Sequence, residues 1–87
     1  MPYGVKISPA AGRQIRKLPR EAQERFVEIA LSLKDDPRPH GSKKLTARPG
    51  RYRLRFGDYR IVYQVDDANH IVIVLLVGHR KDVYRFD

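Results

Sequence analysis

Arg51, Arg53 and Arg55 alternate with Tyr52, Leu54 and Phe56, a spacing that gathers guanidinium groups on one surface. Alternation is the period of a β-strand with one buried face. Tyr52, Leu54 and Phe56 then pack inward, and the arginines stand in a row outside. Gly57-Asp58 predicts a tight turn into a second strand, Tyr59-Arg60-Ile61-Val62-Tyr63-Gln64-Val65, which brings Arg60 within reach of that row. Guanidiniums on a rigid sheet suit phosphate, because each donates a forked pair of hydrogen bonds and keeps its charge. Lys43, Lys44 and Arg48 approach the strand, Arg80 lies beyond the last apolar run, and Asp58 is the only acid between Lys43 and Arg60. A charged sheet face can also serve simply to discourage aggregation. The tyrosines tip the balance toward nucleic acid. Tyr52, Tyr59, Tyr63 and Tyr84 lie among the arginines, and rings beside cations hold single-stranded RNA by stacking and charge. Strand parity sends at least two of these rings into the core and leaves Tyr84, near the terminus, the best placed to meet a ligand.

Other chemistries find little support. His40, His70 and His79 fall in a loop, a turn and a strand end without metal-ligand spacing, so neither a metal nor another cofactor is expected. The six glycines are isolated, which excludes a glycine-rich phosphate loop. Ser8, Ser32 and Ser42 belong to a cap, a helix and a loop, a poor basis for a serine hydrolase. The 87 residues suit a single domain, 1–87, with 18 Lys and Arg against 10 Asp and Glu and a formal net charge of +8. Such an excess favours a polyanionic partner. Nucleic acid and acidic protein rank ahead of a membrane, since no apolar run is long enough to span one and the basic residues alternate along a strand. Residues Met1 to Lys6 lack the apolar core and cleavage site of a secretory signal, and there is no cysteine; a cytoplasmic setting is expected.

A few elements must position the arginines. Tyr3 to Ser8 reads as a strand, with Val5 and Ile7 on one side and Lys6 on the other. Ser8-Pro9 starts a helix, a serine cap before proline at the first helical position. Ala11, Ile15 and Leu18 recur at helical spacing until Pro19 stops the pattern. A longer helix begins at about Arg20, with Ala22, Phe26, Ile29, Ala30 and Leu33 as its apolar stripe and Glu21, Glu24, Arg25 and Glu28 toward water. The break at Leu18-Pro19 makes the pair a helical hairpin. Asp35 to Ser42 is a loop, Asp66 to Asn69 a turn, and Ile71 to Val77 is apolar throughout, as in a central strand covered on most of both faces. The expected fold is α+β: an N-terminal strand, a helical hairpin, then a three-stranded antiparallel meander (β-α-α-β-β-β), with the helices on one face of the sheet.

Lys44-Leu45, Tyr52-Arg53-Leu54-Arg55, Tyr59 to Val65, and Val77-Gly78-His79-Arg80-Lys81-Asp82-Val83-Tyr84, in this order behind a helical hairpin, resemble the RelE branch of the RelE/ParE toxin superfamily. The resemblance covers essentially the whole chain, and its specificity lies in the combination of short motifs within one small basic domain. It implies a toxin of a type II toxin–antitoxin system: a ribosome-dependent, metal-independent endoribonuclease that cuts mRNA in the A site and inhibits translation. It also implies an acidic, RelB-like cognate antitoxin as partner, with operator DNA reached only through the antitoxin complex. The functional positions it implies are Arg53, Arg55, Arg60, Arg80 and Tyr84, while Lys43, Lys44, Arg48 and Arg51 serve as surrounding RNA- or ribosome-binding cations. Better-known members carry lysines where this chain has Arg53 and Arg55.

The reaction implied is attack of a ribose 2′-hydroxyl on the adjacent phosphate, leaving a cyclic phosphate or 3′-phosphate and a 5′-hydroxyl. Negative charge gathers on the phosphate oxygens in the transition state, where fixed cations lower the barrier. Arg60 and Arg80 fit that task, and Tyr84 stacks on or orients the nucleotide. A lysine with a depressed pKa can act as a base; an arginine effectively cannot, so Arg53 and Arg55 read as electrostatic activators. The proton acceptor stays open between His79, beside Arg80 and of a type that titrates near neutrality, and a group of the ribosomal RNA. Two other functions are compatible with the chain. The ParE branch shares the fold and poisons gyrase, usually without the full basic and tyrosine set; a non-cleaving RNA- or ribosome-binding module is the other.

Overall fold

The computed structural model, which describes residues 2–79 and 81, orders the chain as β1 (Gly4–Ile7), α1 (Pro9–Arg16), α2 (Arg20–Asp35), β2 (Lys43–Lys44), β3 (Arg51–Phe56), β4 (Tyr59–Asp66) and β5 (Ile71–His79). The strands form one sheet in the order β1-β5-β4-β3-β2. The meander β3-β4-β5 is antiparallel, as the sequence predicts. Two additions make the sheet mixed and five-stranded. β1 lies parallel to β5, from Gly4 opposite Ile71 to Ile7 opposite Val74. β2 adds the other edge, antiparallel to β3, with Lys43 opposite Arg53 and Lys44 opposite Tyr52. A parallel pair needs a crossover between its strands, and the helical hairpin begins that path.

Local chemistry fixes the element ends. Ser8 is extended, and its hydroxyl oxygen accepts from the Ala11 N–H at 3.1 Å while the hydroxyl donates to the Leu75 carbonyl at 3.1 Å. One side chain therefore caps α1 and ties it to β5. Past Val74, β5 runs on beyond β1, and the Gln14 carboxamide oxygen accepts from the Val77 N–H at 2.7 Å. Helix side chains thus satisfy backbone groups that a strand would otherwise pair. Gln23, in the second turn of α2, donates to the carbonyls of Ile15 (3.0 Å) and Arg16 (3.3 Å) and closes the end of α1. In the β3–β4 turn Gly57 supplies a φ of 57° and Asp58 stays at negative φ, the pattern of a type II′ turn.

The apolar stripe of α2 packs as its spacing predicts: Ala22, Phe26, Ile29 and Leu33 are buried and Ala30 partly so. They join Leu54, Phe56, Ile61, Tyr63, Val65, Val72, Val74 and Val77 in the core. Val74 and Val77 both reach this side because the register shifts between Val62 and Tyr63. Tyr63 is 0% exposed, and its hydroxyl donates to the Pro37 carbonyl at 2.9 Å. Burial pushes its phenol up to about 12, so it remains a donor. Among the described residues no helix is long and apolar enough to cross a membrane. With α1 and α2 on one face, the other face carries the arginines beside an apolar patch of Val62, Ile73 and Leu76.

Candidate active site

The pleat sorts β3 by its alternation. Leu54 and Phe56 enter the core and Tyr52 packs at its margin, so Arg51, Arg53 and Arg55 take the face away from the helices. Strand pairing widens this row. Arg55 lies opposite Arg60 on β4, and Arg53 sits between Val62 on β4 and Lys43 on β2. Cross-strand partners share a face, so these cations converge. Lys43, Arg53, Arg55 and Arg60 line one cleft of about 360 Å³, and the loop between α2 and β2 contributes His40 and Gly41 to it. That volume falls at the small end of ligand sites, roughly 300–1,000 Å³. Arg60 is only 4% exposed, whereas Arg55 is open to solvent. A charge withdrawn from water acts on an incoming anion through a lower dielectric than a surface charge does.

The loop that carries His40 is fastened to the sheet. Arg38 donates from Nη1 to Asp67 Oδ1 at 3.1 Å, from Nη2 to Asp67 Oδ2 at 2.6 Å and from Nε to the Tyr52 hydroxyl at 2.8 Å. Tyr3 adds a hydroxyl bond to Asp67 Oδ1 at 2.6 Å. The Arg38 guanidinium carbon lies 5.2 Å from the centre of the Tyr52 ring, which stacks on Tyr63 at 5.9 Å. The Arg38 hydrogen bonds, then that of Tyr3, hold the Asp67 carboxyl below the usual carboxylate range. Asp36 Oδ1 accepts from the Arg38 N–H at 3.1 Å, and the Ser42 N–H donates to the Pro39 carbonyl at 3.0 Å. Gly41 takes a φ of 96°, a conformation that favours glycine.

The other sequence-predicted positions are distributed as follows. Arg51 shares the arginine face, opposite Gln64, and does not line the cleft. Lys44 is exposed opposite Tyr52, and Arg48 is exposed in the approach to β3. His79 does not join the arginines. It pairs with Tyr59 while Arg60 pairs with Gly78, which puts His79 on the opposite face. Its ring meets Tyr59 edge-on at 6.0 Å, and its Nδ1 accepts from the Lys81 N–H at 3.3 Å. Arg80 and Tyr84 lie outside the described residues. No group of three or more His, Cys, Asp or Glu that could hold a metal ion gathers among the described residues. Sequence reasoning missed His40 and Gly41 as cleft residues. Their loop has no periodicity, and its placement depends on Asp67, distant in sequence.

The model of the family described as ParE toxin of type II toxin–antitoxin system, parDE, matches residues 5–84. The toxin RelG of Mycobacterium tuberculosis is 36% identical over 86 residues, covering 98% of this chain and 99% of that protein. The mRNA interferase toxin RelE of Escherichia coli is 32% identical over 83 residues, covering 93% and 86% respectively. Among solved structures, the toxin–antitoxin complex RelBE2 of Mycobacterium tuberculosis is similar with a TM-score of 0.80 and 35% identity, over 92% of this chain and 100% of that chain.

Proposed function

Because the chain belongs to the RelE/ParE superfamily of type II toxins, on its RelE side, we propose that it halts translation by cutting messenger RNA in the ribosomal A site. The observation that carries this is the convergence of Arg53, Arg55 and Arg60, from adjacent strands, with Lys43 on one cleft. A phosphodiester suits such a set of cations, and charge that grows on the phosphate during cleavage is stabilised more than charge in the ground state.

In the proposed reaction a ribose 2′-hydroxyl attacks the adjacent phosphate and expels the 5′-oxygen. Arg60, together with Arg80 from the tail, donates forks to the phosphate oxygens. Arg53 and Arg55 draw charge from the 2′-hydroxyl and hold the backbone; as arginines they do not act as bases. Tyr84 stacks on or orients the nucleotide. Arg48 and Arg51 extend the basic surface along the RNA, while Lys44, on the Tyr52 side of the edge strand, meets the ribosome. Side-chain cations meet the developing charge, so the scheme uses no metal ion. The partner that restrains the toxin is an acidic antitoxin of the RelB kind. The net charge of +8 suits one, and the similar solved chain is itself part of a toxin–antitoxin complex. Operator DNA is then reached only through that complex.

Mapping RNA ends after brief induction in cells tests this function. Cuts phased with codons in translated messages, bearing 5′-hydroxyl ends, support it. Double-strand DNA breaks would point to gyrase poisoning, and intact messages under stalled ribosomes would point to a module that binds without cutting.

A further inference from the structure

We infer that His40 takes the proton from the attacking 2′-hydroxyl, an assignment that rests on the RNA-cutting function and fills the proton-acceptor role that the arginines cannot take. Lys43, Arg53, Arg55 and Arg60 enter the cleft as proton donors, and Leu54 and Gly41 have no side-chain proton to exchange. Among the described residues lining the cleft, His40 alone has a side chain of a type that accepts a proton near neutral pH. The charged groups that share the cleft with it are Lys43 from β2, Arg53 and Arg55 from β3, and Arg60 from β4; no described acid lines it. His79, the candidate nearest to Arg80 in sequence, is carried on the opposite face of the sheet.

His40 is exposed, yet the backbone that bears it is tethered on both sides. Upstream, the Pro37 carbonyl accepts from the buried Tyr63 hydroxyl and Arg38 is forked onto Asp67. Downstream, the Ser42 N–H closes onto the Pro39 carbonyl across His40 and Gly41. Gly41 packs close enough to the sheet that a Cβ there would stand 3.8 Å from Leu54 Cδ1. With the backbone held, placing the imidazole requires ordering only two side-chain torsions. A base on such a loop keeps its position between turnovers without belonging to the arginine strands.

In the step itself, a bond forms between the 2′-oxygen and phosphorus as the bond from phosphorus to the 5′-oxygen breaks. The 2′-hydroxyl proton passes to the neutral His40 imidazole, and the departing 5′-oxygen takes a proton from water. The products are a 2′,3′-cyclic phosphate and a 5′-hydroxyl, and the imidazolium returns its proton to solvent.

The test is the single-turnover cutting rate of a message in the ribosomal A site, at saturating full-length toxin, followed from about pH 5.5 to 8.5, a range that brackets ordinary histidine titration. Wild type should cut more slowly as pH falls. His40→Ala and His40→Gln should bind ribosomes as wild type does, cut roughly 10²–10⁴-fold more slowly, and lose the acid limb. Free imidazole should restore cutting to His40→Ala and not to His40→Gln, while His79→Gln keeps the wild-type rate and profile. His40 variants that cut at the wild-type rate, or slow variants that keep the acid limb and gain nothing from imidazole, would overturn the assignment. Loss of the acid limb in His79→Gln would overturn it too. A wild-type toxin that leaves the message intact would bring down the RNA-cutting function, and the role of His40 with it; that failure shows before any variant is made.

Discussion

Replacing Arg55 by glutamine should leave the protein slightly more stable and far less active. Arg55 is exposed and stands directly across the strand pair from Arg60, which is 4% exposed. Like charges in that relation oppose folding on the scale of cross-strand pairs, about 0.2–1 kcal/mol. Water and salt around Arg55 keep the effect in the lower half of that range. In a domain of this size 1 kcal/mol moves Tm by roughly 4–8 °C, so a rise of about 1–4 °C is expected, shrinking in molar salt. Activity should move the other way. Losing a cation that meets charge growing during cleavage costs on the order of 3 kcal/mol, a hundredfold or more in rate. Thermal melts at two salt concentrations, beside single-turnover cutting on ribosomes, read both quantities. Arg55→Lys retains the repulsion and should melt like wild type. A Tm that drops several degrees for Arg55→Gln at low salt, with cutting within threefold of wild type, would make Arg55 a structural residue and refute the reasoning.

Three further outcomes are expected. Tyr63→Phe leaves the buried Pro37 carbonyl without its donor and should lower unfolding free energy by about 1–3 kcal/mol in denaturant titration. Asp67 is held below the usual carboxylate range by Arg38 and then Tyr3, so its stabilising effect is complete above its unfolded pKa and is lost as pH falls through the lowered value. Asp67→Asn should therefore melt earlier than wild type at neutral pH, converge with it in strong acid, and show faster amide exchange at Arg38 and Gly41. Lys44, exposed on the edge strand but on the Tyr52 side, away from the arginine row, should act chiefly through binding. Lys44→Ala should weaken binding to ribosomes or message and reduce the slope of log affinity against log salt by about 0.7–0.9 per lost phosphate contact.

Short-range patterns carried the parts of this fold that are decided locally. Ser8-Pro9 marked the start of α1, the apolar stripe marked the buried side of α2, and strict alternation placed Arg53 and Arg55 on the face away from the helices. The turn at Gly57 then made Arg60 the partner of Arg55. Features decided by distant pairing left no such trace. Lys43–Lys44 is too short for a periodic signal and becomes a strand only because β3 is beside it. The parallel seat of β1 along β5 joins segments far apart in sequence. His79 appeared close to the arginines because Arg80 follows it in the chain, but pleating places it on the Tyr59 side. His40 illustrates the reverse: it lies in a loop without pattern, and the Arg38–Asp67 pair helps fasten that loop beside the cleft.

The central claim is that the cleft between β2, β3 and β4 receives the phosphate at which the message is cut. A structure of the wild-type toxin on a ribosome, with a message whose 2′-oxygen is methylated at the cut site, tests it most directly, since the methyl group blocks attack while leaving the phosphate in place. The expected result puts that phosphate at hydrogen-bonding distance, about 2.7–3.2 Å, from the guanidiniums of Arg55 and Arg60, with His40 beside the methylated oxygen. A message that runs along the helical face, its scissile phosphate remote from Arg53, Arg55 and Arg60, would contradict the claim.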